Sequence, residues 1–206
     1  MKDRGFTLVE MIVSLALFSV VAVIAIGALL KVINANNKAQ SIQSAVTNLN
    51  FALESMSRDL RTGTDYDCET SVQSLPTSQL SSVHVCPSIS SGTYIAFNSS
   101  RTAPNGSDTC NLITAYAFVN MPVAGQNQIH LRKAEQQSCT DTTYSFSDLI
   151  SPTDMNITSY ELGVLYNSPG PSYPLAFIRI TGNAGTREQN RTYVDLETAV
   201  SARSQQ

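Results

Sequence analysis

The chain has 206 residues, enough for one membrane segment and one modest globular domain, and too few for two ordinary domains. Its net charge of −3, with seven basic against twelve acidic side chains after Gly63, has the wrong sign for long-range attraction to phosphate. Four cysteines, all beyond residue 67 and without C-x-x-C spacing, argue for disulfides in an oxidising compartment and against a zinc site.

From Met11 to Leu30 run twenty residues without a charge, about the length that crosses a bilayer as a helix. A secretory signal peptide competes for this reading, because Lys2 and Arg4 form a short basic region ahead of the apolar run. The run is too long for a signal core, no small-x-small cleavage site follows it, and the pattern continues as helix. Lys2 and Arg4 favour a cytoplasmic N-terminus, although Lys31 and Lys38 beyond the run make that bias slight. Glu10 stands out, since a carboxylate behind Phe6, Leu8 and Val9 is costly inside a bilayer and calls for a partner. The plain reading puts it at the cytoplasmic interface.

The run Lys2-Asp3-Arg4-Gly5-Phe6-Thr7-Leu8-Val9-Glu10 resembles the type IV prepilin processing motif: a short charged leader, Gly, Phe, apolar or Thr positions, then Glu. That resemblance implies cleavage after Gly5 by a prepilin peptidase and methylation of the new terminal Phe6. It also implies that Glu10, fifth in the mature chain, pairs with the N-terminal amine of a neighbouring subunit during assembly.

Residues 28–62 contain no Pro or further Gly, and Ala35, Ala39, Ile42, Val46, Leu49, Leu53, Met56 and Leu60 recur at alternating spacings of four and three. This predicts an amphipathic helix whose stripe packs on the chain's own sheet. A coiled-coil seam is disfavoured because charges at the flanking positions are missing. Gly63 marks the stop. Residues 6–62 as one helix would reach about 85 Å at 1.5 Å per residue.

Beyond Gly63, short β-rich runs alternate with Ser, Asn, Gly and Pro clusters. Strands are expected at residues 82–86, 93–98, 112–120, 128–133, 159–165, 175–181 and 192–199, with irregular loops at 98–108, 136–143 and 167–174. The fold class is thus α+β: a long N-terminal helix packed on an antiparallel β-sheet head. The division is a leader at 1–5, a membrane half at 6–30, an amphipathic half at 31–62 and a head at 63–206. The later strands, through Gln128-Ile129-His130-Leu131-Arg132 to Thr198-Ala199-Val200-Ser201-Ala202-Arg203, are similar to the ends of minor pilins and of J-type pseudopilins of type II secretion.

Four cysteines allow three pairings, and closing the shortest loops favours Cys68 with Cys86 and Cys110 with Cys139. His84 and His130 each fall in an expected strand without a nucleophile motif beside them, so packing or surface roles are expected. Asp65, Asp67 and Glu69 could aim three carboxylates one way, but they lack the Gly and Glu spacing of a calcium loop and read as a solvated acidic turn. No catalytic, cofactor or metal residues are expected. The resemblance implies other pilin or pseudopilin subunits, the prepilin peptidase and an inner-membrane assembly platform as partners, with a single-pass precursor in the cytoplasmic membrane. The alternative is a tip module that captures DNA or a surface ligand, which would need a cluster drawn from Arg101, Arg132, Lys133, Arg179, Arg187 and Arg191.

Overall fold

The structure, a computed structural model, describes residues 7–71, 75–76, 78–86, 92–105, 108–123, 126–140, 143–150, 155–166, 174–184 and 191–202. One helix, α1 (Leu8–Thr62), leads into eight strands. They are β1 (Thr64–Glu69), β2 (Tyr94–Asn105), β3 (Asp108–Val123), β4 (Gln126–Gln136), β5 (Tyr144–Asp148), β6 (Met155–Leu165), β7 (Leu175–Ala184) and β8 (Thr192–Ser201). All pair antiparallel in the order β1-β2-β3-β4-β6-β7-β8, with β5 pairing to β4 beside that path. At 55 residues α1 is about 82 Å long.

The stripe on α1 buries Ala45, Leu49, Ala52, Leu53, Met56 and Leu60, so its sheet-facing part starts later than the sequence pattern suggested. Ala35 and Ala39 stay exposed because no strand reaches that far along the helix. The helix ends at Thr62 as the sequence predicts, but Gly63 adopts an extended rather than a left-handed conformation (φ −77°, ψ 155°). Its requirement is space: a Cβ there would sit 2.4 Å from the Phe97 ring.

The core lies between α1 and the inward faces of the strands, with Ile95, Phe97, Tyr116, Phe118 and Leu131 from one part of the sheet and Leu162, Ile178, Ile180 and Val200 from the other. The two parts are joined by a thin seam. β4 and β6 share the single register pair Ile129↔Ile157, and the Phe118 and Tyr160 rings stack across at 4.0 Å. A second cluster of Tyr94, Ala96, Ile113, Ala115, Ala117 and Ala134 lies on the face of β2–β4 turned away from the helix, under Leu75 and Tyr144.

Several strand expectations need correction. β1 occupies the supposed acidic turn, because an irregularity in its pairing with β2 between Thr64 and Asp67 lets Tyr66, Asp67 and Cys68 all be buried and so breaks the alternation that marks a strand. β5 was not foreseen. The loop expected at 98–108 is largely a long β2–β3 hairpin with a register shift between Asn98 and Thr102. Residues 82–86 form no full strand: His84 alone makes a parallel bridge, to Asp67 on the outer edge of β1. The disulfides join Cys68 to Cys86 and Cys110 to Cys139, the pairing of sequence neighbours.

Candidate functional site

Gly5 and Phe6 lie outside the described residues. The helix that follows them starts at a defined cap. Thr7 is extended, and its Oγ1 accepts a hydrogen bond from the Glu10 N–H at 3.3 Å. Thr7-Leu8-Val9-Glu10 therefore reads as the Thr-x-x-Glu start signal of a helix, a signal in the sequence that the reading of Glu10 passed over. It places the carboxylate in the first turn, where the positive end of the helix dipole favours a negative charge. Among the described residues no cation pairs with it.

From Leu8 to Ile33 the large apolar side chains are between 45 and 75% exposed, all round the helix. The two hydroxyls in this stretch are satisfied within it, Ser14 donating to the Glu10 carbonyl at 2.7 Å and Ser19 to the Leu15 carbonyl at 2.8 Å. A helix apolar on every side, with its polar groups bonded internally, suits lipid or other apolar helices and not water. Further along, Phe51 stays 70% exposed on the face turned from the sheet.

The outer end of α1 is latched to the head by a polar cluster. Tyr116 donates to Asp59 Oδ2 at 2.6 Å, and Lys133 Nζ lies 2.8 Å from Asp59 Oδ2 and 2.9 Å from Glu135 Oε1. Tyr66 donates its hydroxyl to the Leu60 carbonyl. Burial, reinforced by Asp59, pushes the Tyr116 hydroxyl well above the usual phenol range. Burial alone would lower Lys133, yet its bonds to Asp59 and Glu135 more than offset this and hold its pKa above the ordinary value. The latch fixes how the head sits on the stem.

The basic side chains that could have formed a nucleic-acid surface are instead dispersed among carboxylates. Arg101 lies near Glu135, Arg132 2.9 Å from Asp148, Lys133 between Asp59 and Glu135, and Arg179 2.7 Å from Asp195. Arg191 is exposed and Arg187 lies outside the described residues. Asp65, Asp67 and Glu69 do not converge. Asp65 accepts from the Asn98 amide, whereas Asp67 is buried and accepts from the Tyr94 hydroxyl at 2.9 Å and from the His84 ring at 3.1 Å. Among the described residues no group of three or more His, Cys, Asp or Glu side chains is arranged to hold a metal. His130 is buried on β4, 3.6 Å from Asp148.

One long helix, its membrane-length half bare and its outer half seated on an antiparallel sheet, defines a stalked, membrane-anchored protein of pilin-like architecture. The prokaryotic N-terminal methylation motif matches residues 1–26, the stretch that holds Gly5, Phe6 and Glu10, and with the fold it supports a type IV pilin-like protein. The motif implies assembly with other pilin subunits and processing by the prepilin peptidase. Neither the curated proteins nor the solved structures offer a match to the chain.

Proposed function

We propose that the protein is a minor pilin or pseudopilin, a subunit of a type IV pilus-like filament or a type II secretion pseudopilus, with no catalytic task in that role. It is made as a single-pass precursor with its N-terminus in the cytoplasm, cut after Gly5, and drawn by an inner-membrane assembly platform into an extracytoplasmic filament. The observation that carries this reading is the exposed apolar stem, which lipid covers before assembly and the stems of neighbouring subunits cover afterwards. Exposed Phe51 extends that apolar surface beyond the membrane segment. A disulfide-stapled head with few charges fits an uncommon subunit better than an abundant one, by analogy. Pairing of the head's cations with carboxylates lends no support to a DNA-binding tip.

Glu10→Val tests the role in assembly. Removing a charge eases insertion, and the site lies some 50 Å of helix from the buried residues Ala45 onward, so head stability is untouched. The lost element is a charge-assisted contact with a neighbour's N-terminal amine in a low-dielectric setting. The variant is expected in membrane fractions, cleaved after Gly5, and depleted from sheared filaments. Normal incorporation would make Glu10 only an interfacial residue in the first helical turn.

A further inference from the structure

The head carries a constellation that the assembly role leaves unused. His84 Nδ1 lies 3.1 Å from Asp67 Oδ1, and the Ser82 hydroxyl lies 3.3 Å from His84 Nε2. Asp67 is buried, and its other oxygen accepts from Tyr94, so it is held as an acceptor. An acceptor on Nδ1 fixes the proton there and leaves Nε2 as the base facing Ser82. The backbone holds the same order: His84 donates its N–H to the Tyr66 carbonyl, Cys68 donates to the His84 carbonyl, and the Cys68–Cys86 disulfide closes the bridge beside both residues. Ser82 and its base are open to solvent, His84 being 63% exposed. The N–H groups of Ser82 and Val83 have no acceptor among the described residues, which leaves donors next to the nucleophile.

We propose that Ser82, His84 and Asp67 form an activated-serine site that hydrolyses small carboxylic esters presented from solution. The Ser82 oxygen attacks the ester carbonyl while its proton passes to His84 Nε2. The carbon–alkoxide bond breaks, the leaving alkoxide takes that proton as alcohol, and an acyl-Ser82 ester remains. Water then attacks the acyl carbon, passing its proton through Nε2 to Ser82 as the acid departs. Asp67 is the positioning residue, keeping the ring in the productive tautomer. The exposure of Ser82 and His84 suits a compact substrate presented from solution.

The test uses the full chain in detergent micelles, with a fluorophosphonate probe and p-nitrophenyl acetate. Mass spectrometry should find the phosphonyl adduct on Ser82, with fluoride displaced, and p-nitrophenol release should fall to background in Ser82→Ala. His84→Gln removes the base from an exposed position and should slow both reactions by about 100-fold or more, with the melting temperature largely kept. No adduct on Ser82, equal labelling in His84→Gln, or unchanged ester hydrolysis in Ser82→Ala would each overturn the proposal. These outcomes are independent of filament incorporation.

Discussion

Two stretches of the same helix live by different rules. Between Leu8 and Ile33 the large apolar side chains are exposed on all faces, whereas between Ala45 and Leu60 six residues of one face are buried and Gln43, Ser44, Thr47, Glu54 and Arg58 on other faces meet solvent. No cap or break divides them. The backbone hydrogen bonding is the same in both, so the difference lies in what surrounds each stretch: the outer half is stabilised by the chain's own sheet, and the inner half must borrow its surroundings from a membrane or from neighbours. A change in the head should therefore appear in the folding of the isolated subunit, and a change in the stem only where lipid or other subunits are present.

The largest effect on folding is expected from reducing the disulfides. Separations of 18 and 29 residues correspond to about 3 and about 4 kcal/mol of head stability on the chain-entropy account. Denaturant unfolding with and without reductant checks this, and an unchanged midpoint would show that sheet and helix hold the head alone. Leu49→Ala comes next, with an expected loss of about 2 to 5 kcal/mol because the side chain is fully buried against the sheet. The matched change Leu17→Ala, in the bare stretch, should leave head unfolding unmoved in detergent, since nothing in the chain packs on it. A loss there comparable to Leu49→Ala would mean that the stem folds back on the head.

A smaller, graded effect is expected with alkali. Burial raises the hydroxyls of Tyr66, Tyr94 and Tyr116 well above the phenol range, and pushes Tyr144 up to about 12 with help from Asp67. Lys133 is raised as well. For groups whose folded pKa exceeds the unfolded one, the stabilisation is complete below the unfolded value and drains away as pH climbs toward the folded value. Head stability should thus start to fall near pH 10, where unfolded tyrosine ionises, and keep falling beyond it. Ultraviolet titration should show tyrosinate appearing together with loss of structure. Titration of all eight tyrosines near pH 10 in a head that stays folded would contradict the burial of Tyr66, Tyr94 and Tyr116.

Legibility followed the same divide. The bare stretch announces itself in twenty uncharged residues, and its continuation in a three-four apolar rhythm, because one-dimensional patterns suffice where a helix meets a uniform medium. Strands β3, β4, β6, β7 and β8 were legible from apolar runs, with three ends matched and the others off by two to four residues. β1 was not, because an irregularity in its pairing buries three successive side chains and its buried aspartate is hydrogen-bonded by partners far along the chain. β5 did carry an alternating Tyr144-Ser145-Phe146, but its polar composition hid it among loop residues. Asp67 and His84, 17 residues apart, meet only through a parallel bridge, a non-local pairing that spacing does not encode. The cap that Thr7 places on the helix start was written in the sequence, and it uses the Glu10 backbone N–H, leaving the carboxylate free of that task.

Processing as a prepilin is decided by the N-terminal peptide of the protein recovered from cells with an active prepilin peptidase. Mass spectrometry should find a chain that begins with methylated Phe6, having lost residues 1–5. A chain that retains Met1, or one that starts beyond Leu30 as after signal-peptide cleavage, would contradict the account.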